Sequence, residues 1–327
     1  ITMSSNHWLI AWLGLELNTL SILPIMMKSH HPRSTEATTK YFLIQATAAT
    51  MILLACTLNA WQTGQWSITH TTETMTLLTT SAIMLKLGIA PTHLWYPQVL
   101  RGTTMYTALL ISTWQKIAPL TLLYMTHPHL NHTILLTLGL ASAMVGGLGG
   151  LNQTQTRMIM AFSSIAHMGW LITAMTISPT LTTLTMIMYM SMTIATFVPL
   201  TTMTAKTITD TGTVWPLSPP TLSATMITLM SLGGLPPLTG FMPKWLILKE
   251  LSSTGMMLLA TTLLLSSLPS LFFYIRMAYM TMLTIPPTTT NMEHYWRFKL
   301  PQSTVTALMI MFSTLMLPLT MTLYTTT

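Results

Sequence analysis

Long apolar stretches with almost no charge run through this sequence from end to end. Its 327 residues include 13 Lys and Arg and 6 Asp and Glu, so 6% of the chain is charged, against about 25% in soluble proteins. A chain so poor in charge cannot cover a water-facing surface, and its mean hydropathy of +0.57 agrees. We therefore expect an all-α polytopic membrane protein.

Ten segments are long and apolar enough to cross a bilayer as helices, which takes about 20 residues each. The loops between them are short, so we expect a single transmembrane domain over 1–327, no soluble domain and no catalysis on an aqueous substrate. The predicted spans are 6–27, 41–61, 75–97, 103–125, 133–151, 158–176, 181–203, 222–247, 255–283 and 302–325.

The basic residues of the predicted loops fall almost entirely on one side of the membrane. With alternating spans, eight Lys and Arg residues share one side and only Lys249 lies on the other. The positive-inside rule makes the basic side the cytoplasm or the mitochondrial matrix. These eight residues are Lys28, Arg33, Lys40, Arg101, Arg157, Lys206, Arg297 and Lys299.

Five charged residues fall inside predicted spans: Glu16, Lys86, Lys116, Lys244 and Arg276. An intramembrane charge is costly, so such residues usually face a bundle interior or a wet cavity and carry function. Alternatives remain open for two of them. Arg276 is near a helix end and can extend its charge to the interface, and Glu16 can be a structural ion-pair partner.

Each of the three intramembrane lysines lies beside a predicted helix break, in KLGIAP at 86–91, KIAP at 116–119 and GGLPPLTGFMPKW at 233–245. Proline removes a backbone donor and frees a carbonyl group one turn earlier. Free backbone groups at membrane depth persist only where protein or water satisfies them. We expect hydrated kinks there, where a lysine can gain and lose a proton as its neighbours change charge.

The lysine-bearing third and eighth spans are five spans apart, so they cross the membrane in opposite directions. Broken helices in corresponding places are typical of inverted-repeat transporters. We expect pseudo-repeat halves at roughly 1–125 and 133–283, with a last helix at about 302–325. The same offset pairs Glu16 with His167 and Lys116 with Arg276.

Other chemistry finds little support in the sequence. Cys56 is the only cysteine, which excludes disulfides and all-cysteine iron–sulfur sites within the chain. We see no carboxylate cluster for a metal, no nucleotide loop and no facing histidine pair for haem. Among the intramembrane histidines, His93 and His167 are candidates for a proton relay; for His167 a hydrogen-bonded core residue is an equal alternative.

Several long motifs, in chain order, carry a resemblance to a known family: HWLIAWLGLELNTLSILPIM, MLKLGIAPTHLWYPQVLRG, TWQKIAPL, SSIAHMGW and SLGGLPPLTGFMPKW. They resemble the antiporter-like membrane-arm subunits of mitochondrial NADH–ubiquinone oxidoreductase, respiratory complex I, which are related to Mrp-type antiporters. The resemblance covers essentially the whole chain. It implies eleven helices where this chain shows ten, so we expect the chain to start inside or after the first helix of the family.

The resemblance also implies roles for individual residues. Glu16 matches the family's carboxylate, Lys86 and Lys244 the lysines of two broken helices, and Lys116 the lysine that bridges them. His93 and His167 match polar residues of a central hydrophilic axis, as secondary candidates.

The implied function is proton translocation through these residues and water, coupled to electron transfer in other subunits. NADH, FMN, iron–sulfur clusters and ubiquinone are then bound elsewhere in the complex, and this chain binds no cofactor or metal. The implied partners are the other membrane-arm subunits and membrane lipids, with no nucleic acid. The implied location is the mitochondrial inner membrane, with the basic loops in the matrix. Two alternatives stay open: an autonomous cation/proton antiporter, and a structural subunit without a proton path.

Overall fold

The protein is described here by a computed structural model that covers residues 1–212, 219–282, 297 and 304–319. Within these residues the chain is mostly helical and contains no β-strand, which confirms the expected all-α class. The helices are α1 (Trp8–Met27), α2 (Pro32–Thr63), α3 (Glu73–Leu87), α4 (Trp95–Gly102), α5 (Met105–Ser112), α6 (Trp114–Thr126), α7 (His132–Gly150), α8 (Thr156–Ile177), α9 (Pro179–Thr202), α10 (Ile208–Gly212), α11 (Pro219–Gly233), α12 (Phe241–Ser253), α13 (Met257–Met282) and α14 (Thr304–Leu315).

The chain forms two compact units, Ile1–Ser142 and Ala143–Thr327. In the first unit, α2 packs on α1, α3 and α4, and α6 packs on α1 and α3. In the second unit, α9 packs on α8, α11 and α14, while α13 packs on α11 and α12. Each unit therefore contains a pair of shorter helices, α3 with α4 or α11 with α12, that pack against at least one longer helix.

Threonine and serine hydroxyls are satisfied inside their own helices. Thr173 Oγ1 donates to the Trp170 carbonyl at 2.8 Å, and Ser163 Oγ donates to the Met160 carbonyl at 2.8 Å. The same bond to a carbonyl three or four residues earlier recurs along most of the helices. Because the hydroxyl is bonded locally, a Thr-rich helix leaves no unpaired donor in an apolar environment.

The prediction of about ten spanning helices is met only in part. Six helices of the described residues are continuous, long and apolar enough to cross a membrane: α1, α2, α7, α8, α9 and α13. The predicted spans 75–97, 103–125 and 222–247 are each divided into two shorter helices. The described part of the predicted span 302–325 begins with α14, while residues 302–303 and 320–325 of that span lie outside the described residues.

Glycines in the left-handed region cause two of these divisions. Helix α3 ends before Gly88, whose φ is +68°, and α11 ends before Gly234, whose φ is +81°. Only glycine adopts this conformation without steric cost, and it directs the chain out of the helix. The third division differs from prediction: it is at Thr113, while Pro119 of the KIAP motif lies inside α6.

Candidate functional site

Lys86 lies in the last turn of α3, just before the break at Gly88. Its side chain is 6% exposed, and its Nζ has no hydrogen-bond partner among the described residues. The backbone at this point is held from α2, where Gln45 Nε2 donates to the Lys86 carbonyl at 3.3 Å. The helix end is thus fixed while the amine itself stays unbonded, an arrangement that is costly for a charged group.

Glu16 lies on α1, half-buried, and bonds locally. Thr19 Oγ1 lies 3.0 Å from Glu16 Oε2 and donates to it. Its carboxylate is near enough to Lys86 to act on it electrostatically, but the two groups form no ion pair within 4.0 Å. An ion pair that the structure does contain joins Lys40 to Glu36 on α2. The predicted Glu16–Lys86 pair is therefore open in this structure.

Lys116 is buried on α6, where it is 3% exposed. Its Nζ lies 4.8 Å from the centroid of the Tyr96 ring, a cation–π contact. Tyr96 is in the first turn of α4, and it comes close to the α3 break because Gly88 has no side chain: a Cβ there would lie 3.0 Å from Tyr96 Cβ. The break next to Lys86 thus also determines where the ring above Lys116 is placed.

Lys86 and Lys116 line the same small cavity in the first unit, here called the first lysine cavity. Its volume is about 10 Å³, close to the space that one water molecule needs. Polar groups from α1, α2 and α6 surround it: Tyr41 Oη donates to Gln115 Oε1 at 3.4 Å, and Gln115 Nε2 donates to the Asn18 carbonyl at 3.1 Å. The structure therefore brings together two of the three predicted lysines with a polar lining.

Lys244, the third lysine, lies on α12 after the second break and is half-buried. Its Nζ donates to the Gly233 carbonyl at 2.9 Å, at the C-terminal end of α11. It also lies 6.0 Å from the centroid of the Trp170 ring. A cation at a helix C-terminus is favoured by the unpaired carbonyl groups and by the helix dipole, so Lys244 has a partner that Lys86 lacks.

Lys244 and His167 share a cavity in the second unit, the second lysine cavity, with a volume of about 20 Å³. The His167 ring on α8 lies 5.8 Å from the Tyr189 ring on α9, at 45°. Thr185 and Tyr189 add hydroxyl groups to the lining. The structure thus places His167, a secondary candidate, beside a predicted lysine in a space large enough for one water molecule.

The remaining two candidate residues, His93 and Arg276, line neither lysine cavity. His93 lies between α3 and α4, half-buried, and is not among the residues that line the first lysine cavity. Arg276 on α13 donates through Nη1 to the Leu151 carbonyl at 2.9 Å, just past the end of α7. This bond gives Arg276 a structural partner at a helix C-terminus.

Sequence reasoning missed the aromatic rings above the lysines, Tyr96 and Trp170. Each comes from a different helix than its lysine, so no spacing along the chain pairs them. The one local signal is that Tyr96 follows the Gly88–Pro91 break closely. In the described ranges, no three His, Cys, Asp or Glu side chains form a group that could hold a metal ion.

Comparisons with known proteins match nearly the whole length of the chain to related families. Residues 5–270 match the family described as NADH:quinone oxidoreductase/Mrp antiporter, and residues 271–324 match the C-terminus of NADH dehydrogenase subunit 2. The NADH-ubiquinone oxidoreductase chain 2 of Struthio camelus is 50% identical over 320 residues, which are 98% of this chain and 92% of that relative. The chain of the same name from Latimeria chalumnae is 50% identical over 325 residues, covering 99% and 93%.

Solved structures show the same fold at low sequence identity. A chain of respiratory complex I from Thermus thermophilus with bound Aureothin superposes with a TM-score of 0.82 at 22% identity, covering 99% of this chain and 73% of that one. A chain of the Mrp complex from Dietzia sp. DQ12-45-1b gives a TM-score of 0.79 at 18% identity, covering 87% and 58%.

Proposed function

This chain belongs to the NADH:quinone oxidoreductase/Mrp antiporter family, and on that premise we propose that it is a proton-translocating membrane-arm subunit of a respiratory NADH:ubiquinone oxidoreductase complex. The membership confirms the resemblance found in the sequence motifs. The chain works with other membrane-arm subunits, as its relatives' names indicate. Electron transfer, with NADH, FMN, iron–sulfur clusters and ubiquinone, takes place in other subunits, so this chain contributes to the enzyme without a redox centre of its own.

The proposed topology is ten crossings in the mitochondrial inner membrane. The six continuous helices supply six crossings. The pairs α3–α4, α5–α6 and α11–α12 supply three interrupted crossings, and α14 begins the tenth. The basic loops then face the matrix, in accord with the positive-inside rule, and halves 1–125 and 133–283 form an inverted repeat.

The proposed proton path starts at Glu16 and Lys86. Closing their ion pair favours the protonated lysine, and opening it leaves a buried amine without a partner, which favours release of the proton. Lys116 is the next proposed acceptor because it lines the same cavity as Lys86. The proton then moves on towards Lys244, where His167 shares the cavity and can pass it further.

The shared cavity of Lys86 and Lys116 is the observation that supports this path best. A water molecule in a space of about 10 Å³ can bridge two amines whose direct contact the packing does not provide. The decisive measurement is proton translocation per electron in the assembled complex with Lys86→Met, after normal assembly is confirmed. Lys28→Met is a matched control, since Lys28 is an exposed lysine at the end of α1.

We expect Lys86→Met to lower proton translocation per electron and also coupled NADH–ubiquinone turnover, and Lys28→Met to leave both unchanged. Unchanged translocation with Lys86→Met would refute the path and favour a structural role for the buried lysines. Cation exchange by the isolated chain in vesicles, without the other subunits, would instead support an autonomous antiporter.

A further inference from the structure

A second cavity of the first unit lies outside the proposed proton path, between the start of α2 and the end of α4. This basic cleft has a volume of about 360 Å³, far larger than either lysine cavity. Its lining is polar and charged: Arg33, Glu36, Lys40, Gln98 and Arg101, beside Ala37 and Gly102. None of these residues has a part in the proposed translocation path.

Close packing of two helices builds the cleft. Gly102, the last residue of α4, lies against the first turns of α2: a Cβ on Gly102 would be 2.6 Å from Ala37 Cβ and 2.7 Å from the Arg33 carbonyl oxygen. Only glycine permits so close an approach. The contact fixes the backbones that carry Arg33 and Arg101, so the cleft is part of the fold.

The charges of the cleft leave an excess of two positive groups. Lys40 Nζ lies 2.6 Å from Glu36 Oε1, so these two residues neutralise each other. Neither the Arg33 nor the Arg101 guanidinium has an ion-pair partner among the residues that the structure describes. Arg33 also lies in the first turn of α2, where the helix dipole adds positive potential. The cleft therefore attracts an anion.

The geometry points to the phosphate headgroup of an anionic phospholipid as the ligand, and we propose the basic cleft as its binding site. Guanidinium groups bind phosphate oxygens through paired, charge-assisted hydrogen bonds. Both arginines lie at helix ends, Arg33 in the first turn of α2 and Arg101 in the last turn of α4, on the predicted basic side, where basic residues attract anionic headgroups.

The surface of α2 next to the cleft suits acyl chains. Leu43 follows Glu36 and Lys40 by seven and three residues, so it lies on the same helix face, and it is 62% exposed. Leu54, further along α2, is 51% exposed. A phosphate held by Arg33 and Arg101 would place its lipid tails along these apolar side chains, which a free phosphate ion would not use.

The test uses the assembled complex in phosphatidylcholine vesicles that contain a photoactivatable phosphatidylglycerol. We expect crosslinks on the peptides that carry Arg33 and Arg101, and a loss of about tenfold in the double variant Arg33→Gln/Arg101→Gln, because the charge-assisted bonds are removed. The variant Lys28→Gln, which removes a basic residue of the same predicted side outside the cleft, should retain the crosslinks. Assembly of each variant is checked first.

Three results would overturn the proposal. One is a yield that does not change in the double variant. Another is an equal yield with a photoactivatable phosphatidylcholine, which has no net charge. The third is competition by inorganic phosphate alone, which would assign the cleft to the free ion. Because the readout is binding, it is independent of the proton path.

Discussion

The two units place a lysine beside an interrupted helix in opposite ways. In the first unit, Lys86 precedes the left-handed Gly88, and its Nζ has no hydrogen-bond partner in the described part of the chain. In the second unit, Lys244 follows the left-handed Gly234 and donates to the Gly233 carbonyl at 2.9 Å. A lysine near a left-handed glycine thus has an unbonded amine in the first unit and a hydrogen-bonded amine in the second.

This difference suggests a division of labour. A buried ammonium group without a partner is costly, so the charge of Lys86 depends on what nearby groups such as Glu16 supply. The ammonium of Lys244 is stabilised by a helix C-terminus whatever its neighbours do. On the proposed path we therefore expect a change of charge to have its largest effect at the first lysine cavity, and a proton to be held more readily at the second.

The largest expected effect is at Lys86. Both Lys86→Met and Lys86→Arg should lower the rate of proton translocation by about a hundredfold or more, the lower end of the range for loss of a positioned acid–base group. Arginine keeps the charge but cannot release its proton. Translocation and NADH–ubiquinone turnover are measured together in the assembled complex. A Lys86→Arg variant with normal translocation would show that a fixed charge suffices, and the contrast between the units would disappear.

The second-largest effect distinguishes Lys86 from Lys244 by what each contributes to the thermal stability of the complex. Lys244→Met removes a charge-assisted hydrogen bond worth about 1.5–3 kcal/mol, so the complex should lose activity on heating at a lower temperature and also translocate fewer protons. Lys86→Met removes no such bond and should leave the thermal inactivation temperature unchanged. Lys249→Met, an exposed lysine on the same helix as Lys244, is the control. Equal thermal losses at Lys86 and Lys244 would contradict the comparison.

Sequence reasoning located the lysines and two of the breaks for physical reasons. A charge inside an apolar stretch is conspicuous because its burial is costly, and glycine and proline mark helix ends locally. The sequence pattern therefore identifies Lys86, Lys116 and Lys244 without knowledge of the fold. The helix break at Thr113 was not predicted because neither Thr113 nor its neighbours is a glycine or proline. The proline of the KIAP motif, Pro119, is instead tolerated inside α6.

The contacts of the lysines could not be predicted in the same way. Tyr96 and Trp170 meet their lysines across helices, and the direction of the Lys244 side chain, back towards α11, follows from tertiary packing. Which lysines share a cavity is likewise a property of the packed helices. The residue types that bear the chemistry are thus visible in the sequence, while their pairing is visible only in the fold.

A smaller effect should follow from the ring above Lys116. Tyr96→Leu removes a cation–π contact of about 0.5–2 kcal/mol and should lower proton translocation several-fold, whereas Tyr96→Phe keeps the ring and most of the activity. Trp170→Leu should have less effect, since Lys244 Nζ is 6.0 Å from that ring, against 4.8 Å for Lys116 and Tyr96. If Tyr96→Phe and Tyr96→Leu lower proton translocation equally, the hydroxyl or the packing of Tyr96 matters and the ring face does not.

The smallest effect on proton translocation is expected for variants of Arg276. They test whether every cation at a helix end in the second unit takes part in proton transfer. Its Nη1 bond to the Leu151 carbonyl resembles the bond of Lys244 to Gly233, but Arg276 does not line the second lysine cavity. Arg276→Gln should therefore lower the thermal inactivation temperature of the complex and leave protons per electron unchanged, while Arg276→Lys should restore much of the stability. A loss of translocation without a loss of stability would bring Arg276 into the path. It would also mean that a bonded cation at a helix C-terminus can exchange protons, so the contrast between Lys86 and Lys244 would then rest on their cavities alone.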